Sequence, residues 1–345
     1  MIISNLLISW YLANKRELPW RQTKDPYTIW LSEVILQQTR IAQGTAYFIR
    51  FTKEFPTVFD LATANEDEVL KLWQGLGYYS RARNLHYTAK YIVNELNGVF
   101  PNSYKSLKKM KGIGDYTASA IASICFNEVQ AVVDGNVYRV LSRYFNVKTA
   151  INSSRGIKEF KEIAQNIISK ENPGLHNEAI MELGALICTP KNPNCGACPL
   201  SGSCLALKKN KIDSLPLKLK KTKIRTRYFN FLVVNINNQS TILEQRKEND
   251  IWKHLYQFPL VESNEELSHE SILTSDNLEK LIQDKSLQLK LFNQNNIVHI
   301  LTHQKILAKF WIINTKSDHK NAVEWNNVSN FAVPVIISNF LEKFR

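Results

Sequence analysis

The chain has 345 residues, more than one hydrophobic core usually organises, so we expect two domains. Its formal net charge of +13 favours a polyanionic partner, although charge alone also fits a generally basic soluble protein. Apolar residues at 44% and aromatic residues at 10% exclude a disordered basic tail, and no apolar run approaches the roughly 18 residues of a membrane span.

The ends and the cysteines of the chain bear on its compartment. The N-terminal Met-Ile-Ile-Ser-Asn lacks the basic residues that begin a signal peptide. Five cysteines, four of them clustered, do not resemble the disulfide framework of a secreted protein. We therefore expect a protein of the reducing cytoplasm.

The first part of the chain is patterned as helices, and its second helix carries a candidate acid. Leu18–Arg21, with its proline and charge, is predicted to be a loop before that helix. Glu33 stands among Trp30, Val34 and Leu36, and a carboxyl in such apolar surroundings has a raised pKa that suits a general acid. The alternative is an exposed helical glutamate, which is commoner among glutamates in general.

A glycine-rich stretch follows further along this helical part. Gly75 and Gly77 flank one apolar residue, and Tyr78 and Arg81 come directly after them. Tyrosines beside arginines suit stacking on opened DNA and contact with phosphate. The alternative is a helix start with tyrosines in the core.

A second pair of glycines predicts a helical hairpin. Gly112 and Gly114 flank an apolar residue, and Asp115–Phe126 is predicted to be the helix that follows. The N-terminus of a helix attracts phosphate, and Lys108 and Lys111 stand beside it. The alternative is a plain hairpin with solvated lysines.

Four cysteines predict a metal centre. Cys188, Cys195, Cys198 and Cys204 are separated by six, two and five residues. Clustered thiolates bind either zinc or an iron–sulfur cluster. Zinc ribbons use two Cys-x-x-Cys pairs, whereas this stretch has only one, which argues against a zinc ribbon. Disulfides are the least favoured alternative.

Both the amino-acid composition and the spacing of hydrophobic residues change after the cysteines. Residues 205–227 contain nine lysines and arginines against one acid, which predicts a basic linker that either contacts the DNA backbone or is solvated. From Tyr228 onward the period becomes strand-like, and a closing helix is predicted at 335–344. The second part is therefore predicted to be α+β.

Several of these stretches together resemble adenine DNA glycosylases of the MutY family. They are the run Trp-Leu-Ser-Glu-Val-Ile-Leu-Gln-Gln-Thr at 30–39, the glycine hairpin followed by Val-Asp-Gly-Asn-Val at 133–137, and the six-two-five cysteine spacing. The Trp…Gln-Phe-Pro run at 252–259 extends the likeness almost to the C-terminus. The resemblance implies an all-α helix-hairpin-helix glycosylase domain at 1–204 with an iron–sulfur loop at 188–204, a linker at 205–227, and an α+β MutT-like (nudix-fold) domain at 228–345.

The same resemblance implies a reaction. Such enzymes remove adenine mispaired with 8-oxoguanine or guanine from double-stranded DNA, as monomers that hold a [4Fe–4S] cluster. Glu33 would protonate adenine, Asp134 would stabilise the cationic sugar, and Asn136 would support the sugar side. Tyr116 stands where bifunctional relatives such as endonuclease III carry a lysine nucleophile. A phenol cannot form an imine, so we expect a monofunctional enzyme in which Tyr116 orders Glu33 or the sugar.

The resemblance also implies contacts with the nucleic acid. Residues that would contact the adenine or fill its emptied place are Trp20, Arg21, Leu36, Gln37, Gln38, Tyr78 and Glu178. Residues that would grip the DNA backbone are Arg81, Lys111, Gly112, Ile113 and Gly114. The second domain would recognise 8-oxoguanine through Leu301, Thr302 and His303, where the family has Phe-Ser-His and Leu301 departs from the aromatic residue.

Three other interpretations compete with this one. A nudix hydrolase is disfavoured because no Arg-Glu-x-x-Glu-Glu metal-binding helix follows Phe258. A non-catalytic iron–sulfur protein that binds mismatches is disfavoured because Glu33 and Asp134 are both present. A lyase of the thymine-glycol type is disfavoured by Tyr116.

Overall fold

The computed structural model describes residues 2–219, 224–282, 288–317 and 319–344. Within these ranges every strand lies at or after Arg225, so the predicted order of a helical part followed by an α+β part is confirmed. None of the described helices is both long and apolar enough to cross a membrane.

The helices concentrate in the first two thirds of the chain. They are α1 Ile2–Asn14, α2 Pro26–Leu36, α3 Ile41–Glu54, α4 Val58–Thr63, α5 Glu66–Trp73, α6 Ser80–Leu96, α7 Tyr104–Leu107, α8 Asp115–Phe126, α9 Gly135–Tyr144, α10 Ser154–Ile167, α11 Pro173–Leu186, α12 Leu205–Lys208, α13 His269–Leu273, α14 Asp276–Leu281 and α15 Val335–Phe344.

The strands all belong to the last third. They are β1 Arg225–Ile236, β2 Ser240–Ile242, β3 Glu244–Gln245, β4 Tyr256–Gln257, β5 Leu260–Ser263, β6 Leu289–Leu291, β7 Ile297–Ile300, β8 Gln304–Thr315 and β9 Ala322–Glu324.

The chain divides into two compact units. The first is Met1–Thr63 with Asn84–Lys220, and the second is Ala64–Arg83 with Lys221–Arg345. The predicted boundaries instead place residues 64–83 inside the first domain. Within the second unit the Lys71 ammonium donates to the Phe331 carbonyl at 3.1 Å, an example of the contacts that hold this early segment there.

The first unit packs around one nearly buried helix. Residues 117–123 of α8 are all buried and, except for one isoleucine, small, so neighbouring backbones approach closely. Helix α8 contacts α2, α7 and α11, while α9 packs against α10 and α11 around Val140, Phe160 and Ile180. This packing brings the end of α2, the start of α8 and the start of α9 to one place.

The second unit is built on a mixed sheet. Its strand order is β6-β8-β1-β2-β9, with β5 added to β1 and β7 added to β8, while β3 and β4 pair separately. The long strands β1 and β8 are parallel, with Arg225 opposite Gln304. Phe310 stacks on Phe340 of α15 at 4.1 Å between ring centroids, which fixes the closing helix on the sheet.

The structure corrects the end of the predicted linker. Arg225 and Arg227 belong to β1, and Arg227 is buried with 5% of its surface exposed, so it does not face solvent or DNA. Earlier in the linker, the Leu217 carbonyl accepts from the Ile151 amide at 3.0 Å within the first unit. Residues 220–223 lie outside the described ranges. The alternation of β-branched and basic residues at 224–227 is the signal of a strand that the charge count obscured.

Candidate active site

Three stretches that are far apart in the sequence line one cavity of about 570 Å³ in the first unit. They are the end of α2, the hairpin with the start of α8, and the start of α9. The lining residues are Glu33, Leu36, Gln37, Gln38, Gly112, Gly114, Asp115, Tyr116, Thr117, Asp134 and Gly135.

Glu33 is a carboxyl with strongly altered acidity in this cavity. Burial, reinforced by the nearby carboxylates of Asp134 and Glu178, raises its pKa from 4.5 to about 7. The Tyr116 hydroxyl and the Arg21 guanidinium oppose that rise without cancelling it. The carboxyl is therefore poised to carry a proton near neutral pH.

Tyr116 completes the immediate surroundings of Glu33. Its hydroxyl interacts with the Glu33 carboxyl and contacts the Met181 sulfur at 3.2 Å. Burial and the two cavity carboxylates raise the pKa of Tyr116 well above its usual value, so the phenol stays neutral.

Asp134 caps a helix, and the same hydrogen bonds that make it a cap also affect its pKa. It is the N-cap of α9, and one carboxylate oxygen accepts from the Asn136 and Val137 amides at 2.9 and 2.8 Å. The other oxygen accepts from the Asn136 side chain at 2.9 Å. Burial raises the pKa of Asp134, and these donated hydrogen bonds limit the rise.

Asn136 also links the cavity to the cysteine loop. Its side-chain oxygen accepts from Arg139 at 2.9 Å, and Arg139 donates to the Cys188 carbonyl at 2.6 Å. Sequence reasoning gave Asn136 a role but missed Arg139, which is buried behind it.

The residues predicted to contact adenine are only partly gathered in the cavity. Leu36, Gln37 and Gln38 line it, and Gln37 donates to Thr117 at 3.2 Å. Trp20 is buried against Phe48 and is not among the lining residues. Of the other predicted members, Arg21 and Glu178 are also absent from the lining but perturb Glu33 electrostatically, and Tyr78 belongs to the second unit.

Arg21 is held in place by a carboxylate that sequence reasoning missed. Glu182 is buried, and it accepts from Arg21 at 3.0 and 2.8 Å and from the Arg16 side chain at 2.8 and 2.6 Å. The Arg21 guanidinium also stands 3.9 Å from the Glu178 carboxylate. Glu182 therefore aims Arg21 at Glu178.

We expect Glu182→Gln to destabilise the protein by about 3 kcal/mol, because it leaves two guanidinium groups without their carboxylate. Burial raises the pKa of Glu182, but the arginine hydrogen bonds outweigh it and lower the pKa from 4.5 to about 2. A lowered pKa means that this stability is present above pH 4.5 and is lost as the pH falls toward 2. Urea unfolding at several pH values measures it, with the exposed Glu17→Gln as the control; equal stability of the two variants at pH 7 contradicts the prediction.

The predicted wedge residues share a backbone feature. Gln38 and Tyr78 both have positive φ, at 55° and 47°, although neither is a glycine or asparagine. Backbone strain of this kind collects at functional positions. Tyr78 is 48% exposed, and its hydroxyl lies 2.8 Å from the Thr302 hydroxyl within the second unit.

Arg81, which is predicted to grip the DNA backbone, also makes contacts within the protein. Its guanidinium stacks over Trp73 at 5.0 Å, and it donates to the Leu76 and Gly77 carbonyls at 3.4 and 3.3 Å. Burial lowers the pKa of Arg81 to about 10. These contacts help to shape the loop that carries Tyr78.

The glycine hairpin is built as the sequence predicts. Gly112 has φ +78°, and a Cβ there would stand 2.6 Å from the Asn84 Cβ. Both the backbone conformation and the lack of space therefore exclude a side chain at this position. Ile113 is buried, Gly114 is the N-cap of α8, and the Lys111 carbonyl accepts from Thr88 at 2.7 Å.

An acidic residue in this hairpin was missed by sequence reasoning. Asp115 stands at the start of α8, where Lys161 donates to it at 3.0 Å and Tyr104 also donates. Burial raises the pKa of Asp115, but these two donors outweigh it and hold the pKa below its usual value. The ammonium of Lys161 thus offsets a charge that would otherwise repel phosphate.

The cysteine loop closes around its own cavity. Cys188, Cys195, Cys198 and Cys204 all line it. Burial and the other three thiols raise the pKa of Cys198 to about 11. Thiolate charges this close together repel one another, and a bound metal cation relieves that repulsion. Four thiols around one cavity are a set of donors that suits a metal centre.

In the second unit the three predicted recognition residues form a turn. Leu301, Thr302 and His303 connect β7 to β8, and the Leu301 amide donates to the Gln304 carbonyl at 2.8 Å. Thr302 and His303 are exposed, whereas Leu301 is partly covered. The turn thus presents a hydroxyl and an imidazole to the surroundings.

Comparison with known families agrees with this architecture. Residues 31–170 match the HhH-GPD superfamily of base excision DNA repair proteins, and residues 230–343 match the NUDIX domain. Residues 188–204 match the iron–sulfur binding domain of endonuclease III, which assigns an iron–sulfur cluster to the cysteine loop. A solved structure of a thermostable thymine-DNA glycosylase has a TM-score of 0.56 and 27% identity, covering 60% of this chain and 96% of that one.

Two curated relatives settle the family. The chain is 34% identical to adenine DNA glycosylase of Buchnera aphidicola subsp. Baizongia pistaciae over 100% of this chain and 97% of that protein. It is 39% identical to adenine DNA glycosylase of Buchnera aphidicola subsp. Schizaphis graminum over 75% of this chain and 74% of that protein. The chain therefore belongs to the adenine DNA glycosylase (MutY) family, the DNA N-glycosylases that release adenine in base excision repair.

Proposed function

We propose that this chain removes adenine mispaired with 8-oxoguanine or guanine from double-stranded DNA, by a monofunctional mechanism. The observation that carries the proposal is a carboxyl of pKa about 7 in the same cavity as a second, hydrogen-bonded carboxylate. Burial dominates at Glu33, whereas Asp134 accepts three hydrogen bonds that oppose the effect of its burial, and such a difference in environment is how paired carboxyls divide acid and base roles.

Glu33 is the proton donor in this mechanism. With a pKa of about 7 it is substantially protonated at neutral pH, and protonation of an adenine ring nitrogen makes the base a better leaving group. The N-glycosidic bond then breaks with its electron pair going to the base, and the sugar becomes oxocarbenium-like.

Asp134 is the stabiliser of that sugar cation. Three donated hydrogen bonds fix its orientation and oppose the rise in its pKa that burial causes, which favours a carboxylate facing the sugar. Asn136 supplies two of those bonds and thereby supports the sugar side of the reaction. Water completes the substitution at the sugar carbon.

Tyr116 makes the enzyme monofunctional. It occupies the position at which a lysine would attack the sugar, and its neutral phenol forms no imine. Its interaction with Glu33 instead holds the acid in place.

Access to adenine requires that the base leave the stack. We propose that Gln38 and Tyr78 occupy the vacated space, an assignment supported by the strained backbone of both residues. Leu36 and Gln37 line the adenine site, while Trp20, Arg21 and Glu178 shape it from behind. The hairpin of Lys111, Gly112, Ile113 and Gly114 binds one phosphate through the N-terminus of α8, and Arg81 also contacts the DNA backbone.

The second unit acts in recognition of the opposite base. Leu301, Thr302 and His303 would contact 8-oxoguanine, and the exposed hydroxyl and imidazole are the groups able to hydrogen-bond it. A NUDIX-type fold without the Arg-Glu-x-x-Glu-Glu helix supports recognition over triphosphate hydrolysis. We further propose that the enzyme acts as a monomer in the cytoplasm, where it associates with the DNA of the nucleoid.

We propose that the four clustered cysteines hold a [4Fe–4S] cluster whose role is to shape the loop. We expect Cys198→Ser to lose iron and sulfide together, whereas Cys125→Ser, which changes a cysteine outside the loop, keeps both. Iron and sulfide analysis with visible absorption measures this. Zinc in place of iron, or an unchanged cluster in the Cys198 variant, contradicts the assignment.

Product analysis tests the proposed reaction. Cluster-loaded protein is incubated with duplexes that pair adenine with 8-oxoguanine, guanine or thymine, and products are separated with and without alkali. We expect free adenine from the first two duplexes only, with strand breakage that requires alkali. Breakage without alkali contradicts the role of Tyr116, and binding without adenine release leaves only a mismatch-binding protein.

A further inference from the structure

The second unit contains a network of charges around two buried arginines that the proposed mechanism does not use. Arg227 of β1 donates to the Glu262 carboxylate at 2.6 and 2.7 Å and to the Asp250 carboxylate at 3.0 and 2.6 Å. Arg246 shares Asp250 at 3.0 Å. Two buried guanidinium groups thus face two partly exposed carboxylates, which balances their charge.

One further bond connects this network to the turn of Leu301, Thr302 and His303. Arg227 donates to the Gln304 side-chain oxygen at 2.8 Å, and Gln304 is the residue directly after the turn. The Gln304 carbonyl accepts from the Leu301 amide at 2.8 Å, and the His303 carbonyl accepts from the Arg225 amide at 3.1 Å. The C-terminal end of the turn is therefore fixed by backbone bonds and by one side-chain bond to a rigid guanidinium.

The geometry of the network suits a positioning role. A guanidinium clamped by two bidentate carboxylates has no rotational freedom left, so its remaining N–H points in one direction. Gln304 accepts that N–H, and its place at the start of β8 is set accordingly. The recognition of a base needs its donors and acceptors held to a fraction of an ångström.

We propose that Arg227, held by Asp250 and Glu262, positions the Leu301–His303 turn through Gln304 and thereby determines the selectivity for 8-oxoguanine over guanine. Arg227 and Gln304 are positioning residues and contact no base. The inference rests on the proposed function of the turn.

Gln304→Leu is the variant that separates positioning from folding. It removes the bond to the turn but leaves Arg227 with both carboxylates, so no buried charge loses its partner. Arg227→Lys is the second variant, which keeps the charge but cannot form the bidentate pairs. Arg225→Ala is the matched control, because it removes a neighbouring arginine whose exposed side chain lies outside the network.

The experiment measures single-turnover adenine release opposite 8-oxoguanine and opposite guanine, with the thermal unfolding midpoint of each full-length, cluster-loaded protein. We expect Gln304→Leu to reduce the ratio of the 8-oxoguanine rate to the guanine rate by roughly tenfold, which is about the effect of one lost hydrogen bond in a recognition site. The reduction comes from a slower rate opposite 8-oxoguanine. In Gln304→Leu the guanine rate and the unfolding midpoint stay at wild-type values. Arg227→Lys also lowers the ratio of the two rates, and Arg225→Ala changes neither rate.

The outcomes distinguish this inference from the proposed function. If the wild type prefers 8-oxoguanine and Gln304→Leu keeps the same preference, only the positioning role is overturned. Equal loss of both rates with a lower unfolding midpoint also overturns it, because the network is then structural only. A wild type that releases no adenine from either duplex refutes the proposed function. A wild type that releases adenine equally from both duplexes overturns this inference and leaves adenine removal intact.

Discussion

Glu33→Gln is expected to slow adenine release by at least about a hundredfold, the usual contribution of a general acid. A carboxamide has nearly the size of a carboxyl but does not give up a proton to the leaving base. Single-turnover release from adenine opposite 8-oxoguanine measures the loss. Binding of the same duplex is expected to remain, since the hairpin that grips phosphate is unchanged.

The acidity of Glu33 adds a second signature to this variant. Because its pKa is about 7, the wild-type rate should fall as the pH rises through 7, approaching tenfold for each further pH unit, and the variant should lack this limb. The raised pKa of Glu33 also makes the stability of the protein depend on pH. Ionisation of the buried carboxyl is unfavourable, so wild-type stability falls as the pH rises from 4.5 to about 7.

The variant should therefore become more stable relative to wild type across that pH range, while it remains inactive. Exposed Glu17→Gln is the control and should alter neither rate nor stability. A Glu33→Gln protein that releases adenine at the wild-type rate, or keeps the alkaline limb of the pH profile, removes Glu33 from the role of acid.

Local patterns were the part of the site that sequence could predict. The glycine hairpin depends on a positive φ at Gly112, and the apolar neighbours of Glu33 within one helix already imply a raised pKa. The separation of a helical part from an α+β part follows from the change of hydrophobic period. Each of these features is set by residues within a few positions of one another.

Long-range partners could not be predicted, because no local pattern encodes them. Arg16 and its carboxylate Glu182 are 166 residues apart, and each alone resembles an ordinary charged surface residue. Arg227 was assigned to a basic linker because its partners, Asp250 and Glu262, come from later turns and strands. The packing of residues 64–83 with the second unit is hidden for the same reason.

Asp134→Asn is expected to reduce adenine release by about a hundredfold or more while the fold is kept. The loss follows from the removal of the negative charge that faces the cationic sugar, an electrostatic contribution of about 3 kcal/mol in comparable sites. The fold is kept because asparagine caps a helix as well as aspartate does, so the bonds from the Asn136 and Val137 amides persist. Single-turnover rates and urea unfolding of the same preparation measure the two effects.

Asp134→Ala separates the two roles of this residue. It removes both the charge and the cap, so it should be as inactive as the asparagine variant and about 1 kcal/mol less stable. The asparagine variant loses only the side-chain bond from Asn136 and gains from no longer burying a charge. If both variants are inactive and only alanine is destabilised, the charge of Asp134 serves the reaction and its geometry serves α9. An asparagine variant with the wild-type rate would mean that the sugar cation is stabilised by another group.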